Sequence, residues 1–129
     1  MEPRNTFSKE ERTSSLKDIE LLFGSNHSFK VFPLRILFEK KYPRTSGIGV
    51  STLISVPKKK FKKAVQRNRI KRLIREVYRL NKGLLISSQK ETDYDLLVGF
   101  IYLGQGICDF RELEPIMQNA LVILKEKLL

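Results

Sequence analysis

Apolar residues fall into separate segments along the chain, and their spacing changes from one segment to the next. Leu16, Ile19, Leu22 and Phe23 recur at helical spacing, with Ser14 or Ser15 placed to cap the start and Gly24 to stop the helix. Residues 29–39 (FKVFPLRILFE) are rich in aromatic and branched side chains and predict a strand. Pro33 has no N–H to give a ladder, so part of that strand belongs at an edge or a bulge. Residues 40–46 form a polar connection containing Pro43. In residues 47–56, Ile48, Val50, Thr52, Ile54 and Val56 alternate with Gly49, Ser51, Leu53 and Ser55. That period of two predicts a strand with one apolar face. Pro57 and a run of lysines end the alternation, and helical spacing returns from about residue 64 to 80. Residues 94–102 (YDLLVGFIY) are almost continuously apolar, as in a strand covered on both faces. A last helix begins near Asp109-Phe110-Arg111-Glu112, which has capping-box spacing. Its apolar stripe is Leu113, Ile116, Met117, Ala120, Leu121, Leu124 and Leu128.

The succession of helix, strands, helix, strand and helix predicts a small α+β sandwich. With 129 residues and no repeat, linker or low-complexity tract, the chain reads as a single domain over residues 1–129, loosely ordered over 1–12. No apolar run approaches the ~20 residues of a membrane span. The polar start MEPRNTFSKEER predicts no signal peptide. The single cysteine, Cys108, rules out an intrachain disulfide and points to a reducing cytoplasm.

Charge sharpens this picture. The net charge is +11, from 25 basic and 14 acidic residues. Residues 57–82 hold twelve of the basic residues and one acid, Glu76, which leaves 13 of each sign elsewhere. One segment therefore carries the whole excess, and concentrated positive charge favours polyanions. On a wheel of about 100° per residue, Ile70, Leu73, Ile74, Val77 and Leu80 share one arc. Asn68, Lys71, Arg72, Arg75, Arg79 and Lys82 share the opposite arc, with Arg67 and Arg69 at the margins of the apolar face. An ordinary solvated helix alternates charge sign, because like charges one turn apart repel. This one stacks cation near cation and needs an anion to relieve the repulsion. A membrane-surface or peptide-target helix would use its apolar face for the partner, whereas here that face must serve the domain's own core. Arginines suit bidentate phosphate contacts and the lysines before them supply diffuse charge, a combination that suits folded RNA.

Catalytic groups of the protein's own are hard to find. His27 is the only histidine and lies in a predicted turn, Ser25-Asn26-His27-Ser28. Cys108 has no cysteine or histidine at metal-ligand spacing. Asp93 and Asp95 are two apart at the start of a strand and read as a charge pair on one strand face rather than a metal site. The residues alone thus leave three function classes open: partner of an RNA-based catalyst, structural RNA binder such as a ribosomal protein, and metal-dependent nuclease. The third has the least support.

The segment Ala64-Val65-Gln66-Arg67-Asn68-Arg69-Ile70-Lys71-Arg72-Leu73-Ile74-Arg75-Glu76 resembles the signature of the bacterial ribonuclease P protein component. Upstream, Gly47-Ile48-Gly49-Val50-Ser51 and Val56-Pro57-Lys58-Lys59 resemble that family's glycine-containing strand and its strand-end lysines. The likeness is strong over residues 47–80; elsewhere it rests on pattern and length. It implies an αβββαβα sandwich like the second domain of ribosomal protein S5, with a left-handed βαβ crossover through the signature helix. Chain-topology rules alone would favour a right-handed crossover. It further implies the protein subunit of an endoribonuclease that removes the 5′ leader of precursor tRNA, with catalysis and the required Mg²⁺ carried mainly by an RNA subunit. The implied partners are that RNA and precursor tRNA, with no membrane and no protein partner. The implied RNA-binding residues are Lys58, Lys59, Lys60, Lys62, Lys63, Arg67, Asn68, Arg69, Lys71, Arg72, Arg75 and Arg79. A leader cleft between the first helix and the sheet would draw on Ile19, Phe23, Phe29 and Phe32. Ile19 follows Asp18 where many members have a phenylalanine.

Overall fold

A computed structural model describes residues 15–45 and 47–129. The expectation for residues 1–12, and Ser14 as a cap, lie outside the described residues. The elements run α1 (Leu16–Phe23), β1 (Ser28–Val31), β2 (Leu34–Lys41), β3 (Val50–Ser55), α2 (Ala64–Asn81), α3 (Gly83–Ser88), β4 (Asp95–Tyr102) and α4 (Phe110–Lys127). The four strands form one mixed sheet in the order β1-β2-β4-β3. β2 pairs antiparallel with both β1 and β4, whereas β3 and β4 are parallel. A parallel pair needs a long crossover, which α2 and α3 supply. The α+β class and sandwich follow the sequence reading.

Three details differ from it. Residues 29–39 are not one strand: the chain folds back at Phe32-Pro33, so that Val31 pairs with Leu34. Pro33 sits in the turn, where its missing N–H costs no ladder bond. β2 then runs on to Lys41 through residues expected in a polar connection, because pairing with β4 carries Lys40 and Lys41 opposite Leu96 and Asp95. The signature helix ends at Asn81, and Lys82 is a buried joint leading into α3 rather than a member of the cation row.

The central strand β4 is buried along nearly its whole length, as its apolar run predicts. One face of the sheet, with Ile36, Val50, Val98 and Phe100, packs against Ile70 and Ile74 of α2 and Met117 and Leu124 of α4. The hydroxyls of Thr52 and Tyr78 meet at 3.1 Å inside that core, so neither polar group is stranded. Asp109 caps α4 as expected, its Oδ1 accepting the Glu112 N–H at 2.9 Å. Among the described residues, α1 stands alone on the other face. Leu22 is its one buried residue and packs on Leu37 and Leu97. Gly99 lets the helix come that close, since a Cβ there would lie 2.9 Å from Leu22 Cδ2. The Lys41–Asp18 ion pair, at 2.8 Å, ties α1 to the end of β2. Burying one leucine contributes only ~1.5–3 kcal/mol, so among the described residues α1 is held by few contacts.

Candidate nucleic-acid interface

α2 buries Ile70, Ile74, Val77 and Tyr78. The buried face is turned toward Tyr78, whose hydroxyl reaches Thr52, and away from Leu80, which is exposed. That rotation half-buries Lys71 and leaves Asn68, Arg69, Arg72 and Arg75 exposed. Among the described residues, Arg69, Lys71, Arg72 and Arg75 make no hydrogen bond or ion pair with the chain. The first turn of α2 carries no acid, so the positive end of the helix dipole adds to the lysines before it. Unpaired cations along one side of a rigid helix concentrate positive potential there, which favours anions.

Three of the expected contacts have work inside the chain. Arg67 is half-buried, and its Nη1 donates to the carbonyls of Phe61 and Lys62 at 2.8 and 2.9 Å. Arg79 forks onto Glu76 across one turn, Nε to Oε2 at 3.2 Å and Nη2 to Oε1 at 2.5 Å. These bonds hold the Glu76 carboxyl below its ordinary pKa and raise that of Arg79. Lys60 Nζ donates to the Leu103 carbonyl at 2.7 Å. The lysine loop is therefore anchored. Phe61 is buried in its middle, its ring 5.9 Å from that of Tyr102. Lys58, Lys59, Lys62 and Lys63 remain exposed around it. Phe61 escaped the sequence reading; its signal was a lone aromatic among lysines.

The residues expected at a leader cleft do not all meet. Ile19 and Phe23 stand on α1, the first half-buried and the second 50% exposed, above the face that carries Leu37 and Leu97. Phe29 is corrected to the opposite face. Strand alternation pairs it with Ile36, its ring lies 6.2 Å from Phe38, and Lys127 Nζ sits 5.7 Å above it. Phe32 projects at the hairpin tip, 70% exposed and at the end of β1 remote from α1. The same alternation identifies neighbours that sequence reasoning missed. Leu53 and Ile101 flank the Leu22 cluster, half-buried, and form an apolar floor beside α1. Exposed Arg35 lies opposite Ile101, and Lys30 lies opposite Arg35, so both cations share that face. Their signal was period two within a segment whose fold-back the pattern did not show.

Asp95 is buried and accepts from the Thr45 N–H and hydroxyl at 3.0 and 2.7 Å, a structural role. Asp93 is exposed, and its carbonyl accepts from the Arg44 N–H. His27 is exposed, stacked on Phe38 and 3.4 Å from Glu39. Among the described residues no three His, Cys, Asp or Glu side chains converge to fit a metal ion. No described helix is long and apolar enough to cross a membrane.

Comparison with known proteins bears on this surface. A family model described as Ribonuclease P matches residues 7–101, so it stops within β4 and leaves α4 outside. The ribonuclease P protein component of Porphyromonas gingivalis is 39% identical over 115 residues, covering 89% of this chain and 83% of its own length. That of Dictyoglomus thermophilum is 35% identical over 104 residues, covering 81% and 78%. Among solved structures, a Staphylococcus aureus RNase P protein mutant with defective mRNA degradation activity shares the fold, with a TM-score of 0.65 at 22% identity over 91% of this chain and 90% of that one. The RNase P protein from Thermotoga maritima gives 0.52 at 25% identity over 92% and 91%.

Proposed function

The chain belongs to the ribonuclease P protein family, and from that membership we propose that it is the protein subunit of a tRNA-processing ribonucleoprotein. It docks on the ribonuclease P RNA through Asn68, Arg69, Lys71, Arg72 and Arg75, with Lys58, Lys59, Lys62 and Lys63 adding diffuse charge. The 5′ leader of precursor tRNA lies along the strip beside α1, its bases against Phe23, Ile19, Leu53 and Ile101 and its phosphates near Arg35 and Lys30. The RNA subunit carries out the hydrolysis in the cytoplasm. Mg²⁺, which supplies Lewis-acid chemistry to the reaction, is assigned to RNA phosphates, since the described residues offer no cluster that fits it. The chain's own contribution is binding, orientation and relief of phosphate repulsion.

The observation that carries this reading is the set of unpaired cations on α2, which no partner within the described residues neutralises. Its test mixes the chain with a bacterial ribonuclease P RNA and precursor tRNA at low Mg²⁺. Faster leader removal only when chain and RNA are both present supports it. Absence of any stimulation points instead to a structural RNA binder, and cleavage by the chain alone to a nuclease.

A further inference from the structure

Beside the cation row lies an open groove of about 700 Å³, within the ~300–1,000 Å³ range of clefts that take small ligands. One wall is α2, with Arg69, Arg72, Leu73 and Glu76, the last paired with Arg79. The other is the segment entering α4, with Ile107, Phe110 and Glu112. This second wall is braced. Tyr102 donates its hydroxyl hydrogen to the Gly106 carbonyl and accepts from the Cys108 N–H at 3.3 Å, and Asp109 caps the helix behind it. It also lies beyond the residues matched by the family model.

We propose that this groove receives one unstacked nucleobase of the RNA subunit, with guanine preferred. The inference rests on the reading of α2 as the RNA-docking helix. A phosphate alone has no use for the apolar side chains of Leu73 and Phe110, both half-buried, or of exposed Ile107. An apolar peptide side chain has no use for two unpaired arginines. A nucleotide uses the cationic, apolar and acidic parts together: its phosphate meets Arg69 and Arg72, its base face lies on Phe110 and Ile107, and its edge donates to Glu112. Guanine offers two adjacent N–H donors to one carboxylate, and uracil offers one.

Cys108 is the only cysteine and lines the groove, so its alkylation rate reports occupancy without any substitution. The full chain is treated with iodoacetamide alone and with GMP, UMP or inorganic phosphate at equal concentrations. GMP is expected to slow alkylation more than UMP does, and phosphate to leave it nearly unchanged. Equal slowing by phosphate and GMP, or none by GMP, overturns the proposal. With the RNA subunit, Phe110→Ala should weaken binding about fivefold or more, as loss of a stacked base does, with the salt slope unchanged. Should Phe110→Ala fail to fold, Glu112→Gln, which keeps the backbone cap, must still erase the preference for GMP over UMP. If Arg75→Ala weakens RNA binding while the RNA subunit leaves Cys108 unprotected, the groove proposal alone fails. If no arginine substitution on α2 weakens RNA binding, the docking reading fails with it.

Discussion

At the scale of single residues, the arginines of one helix separate into different jobs. Arg72 is exposed and unpaired among the described residues, so Arg72→Ala should remove one phosphate contact and flatten the dependence of log K on log salt by ~0.7–0.9. Arg67 bonds two loop carbonyls, so Arg67→Ala should loosen the lysine loop and speed its cleavage by trypsin, an effect Arg72→Ala lacks. Glu76 pairs with Arg79, and Glu76→Gln should remove the negative charge beside it. RNA binding then tightens and the slope steepens by a similar ~0.7–0.9; an unchanged slope rejects a phosphate role for Arg79. Tyr102 gives a pH signature. Burial first, and the Cys108 thiol second, push its hydroxyl up to about 12. An unfolded tyrosine ionises near ~10. Between those values the unfolded chain binds fewer protons than the folded one, so stability falls as pH rises through that window. Urea midpoints should therefore fall less steeply with alkaline pH in Tyr102→Phe than in the parent chain. The cations were legible because side-chain charge is written in the sequence. Arg67's role was not, because its partners are backbone carbonyls that only the folded loop brings within reach.

Among the elements, period and capping carried most of the information. Alternation in Val50, Thr52 and Ile54, the apolar run of β4 and the Asp109–Glu112 cap all read directly. The hairpin did not, because residues 29–39 are apolar on both sides of Phe32-Pro33, and a proline is compatible with a turn, an edge or a bulge. α3 was equally hidden, since six residues are too few for periodicity to stand out. The placement of α1 depends on a pair that sequence spacing cannot connect, Leu22 and Gly99. Gly99→Ala should overpack the contact, costing ~1–3 kcal/mol, and Leu22→Ala should cost ~2–5 kcal/mol by leaving a cavity. Because the added methyl of the first would lie 2.9 Å from Leu22 Cδ2, the double variant should cost less than the two single variants together. Chemical denaturation of the four proteins measures that coupling, and strict additivity would show that α1 does not rest on Gly99.

For the whole molecule, the decisive arrangement is that α2 and α1 lie on opposite faces of the sheet. The candidate RNA-docking row and the candidate leader strip thus have a sheet between them and share no side chain. Sequence reasoning located both helices but mixed the faces at Phe29, because which side of a strand faces α1 is fixed by pairing register. Two surfaces of different chemistry predict two separable energies. If about six cations meet phosphates at ~0.7 each, affinity for the RNA subunit falls by about four log units per decade of salt. The strip beside α1 relies more on bases packed against Phe23, worth ~1–3 kcal/mol and far less sensitive to salt. Phe23→Ala should weaken binding of precursor tRNA to the holoenzyme more than binding of mature tRNA, with the RNA-subunit slope untouched. Equal weakening for both substrates would remove the leader from this face. The Arg72→Ala and Phe23→Ala losses should also add in the double variant within ~0.5 kcal/mol, since distant sites without shared partners act independently. A larger coupling, measured by precursor binding across salt, would mean that the leader and the RNA subunit meet on one surface.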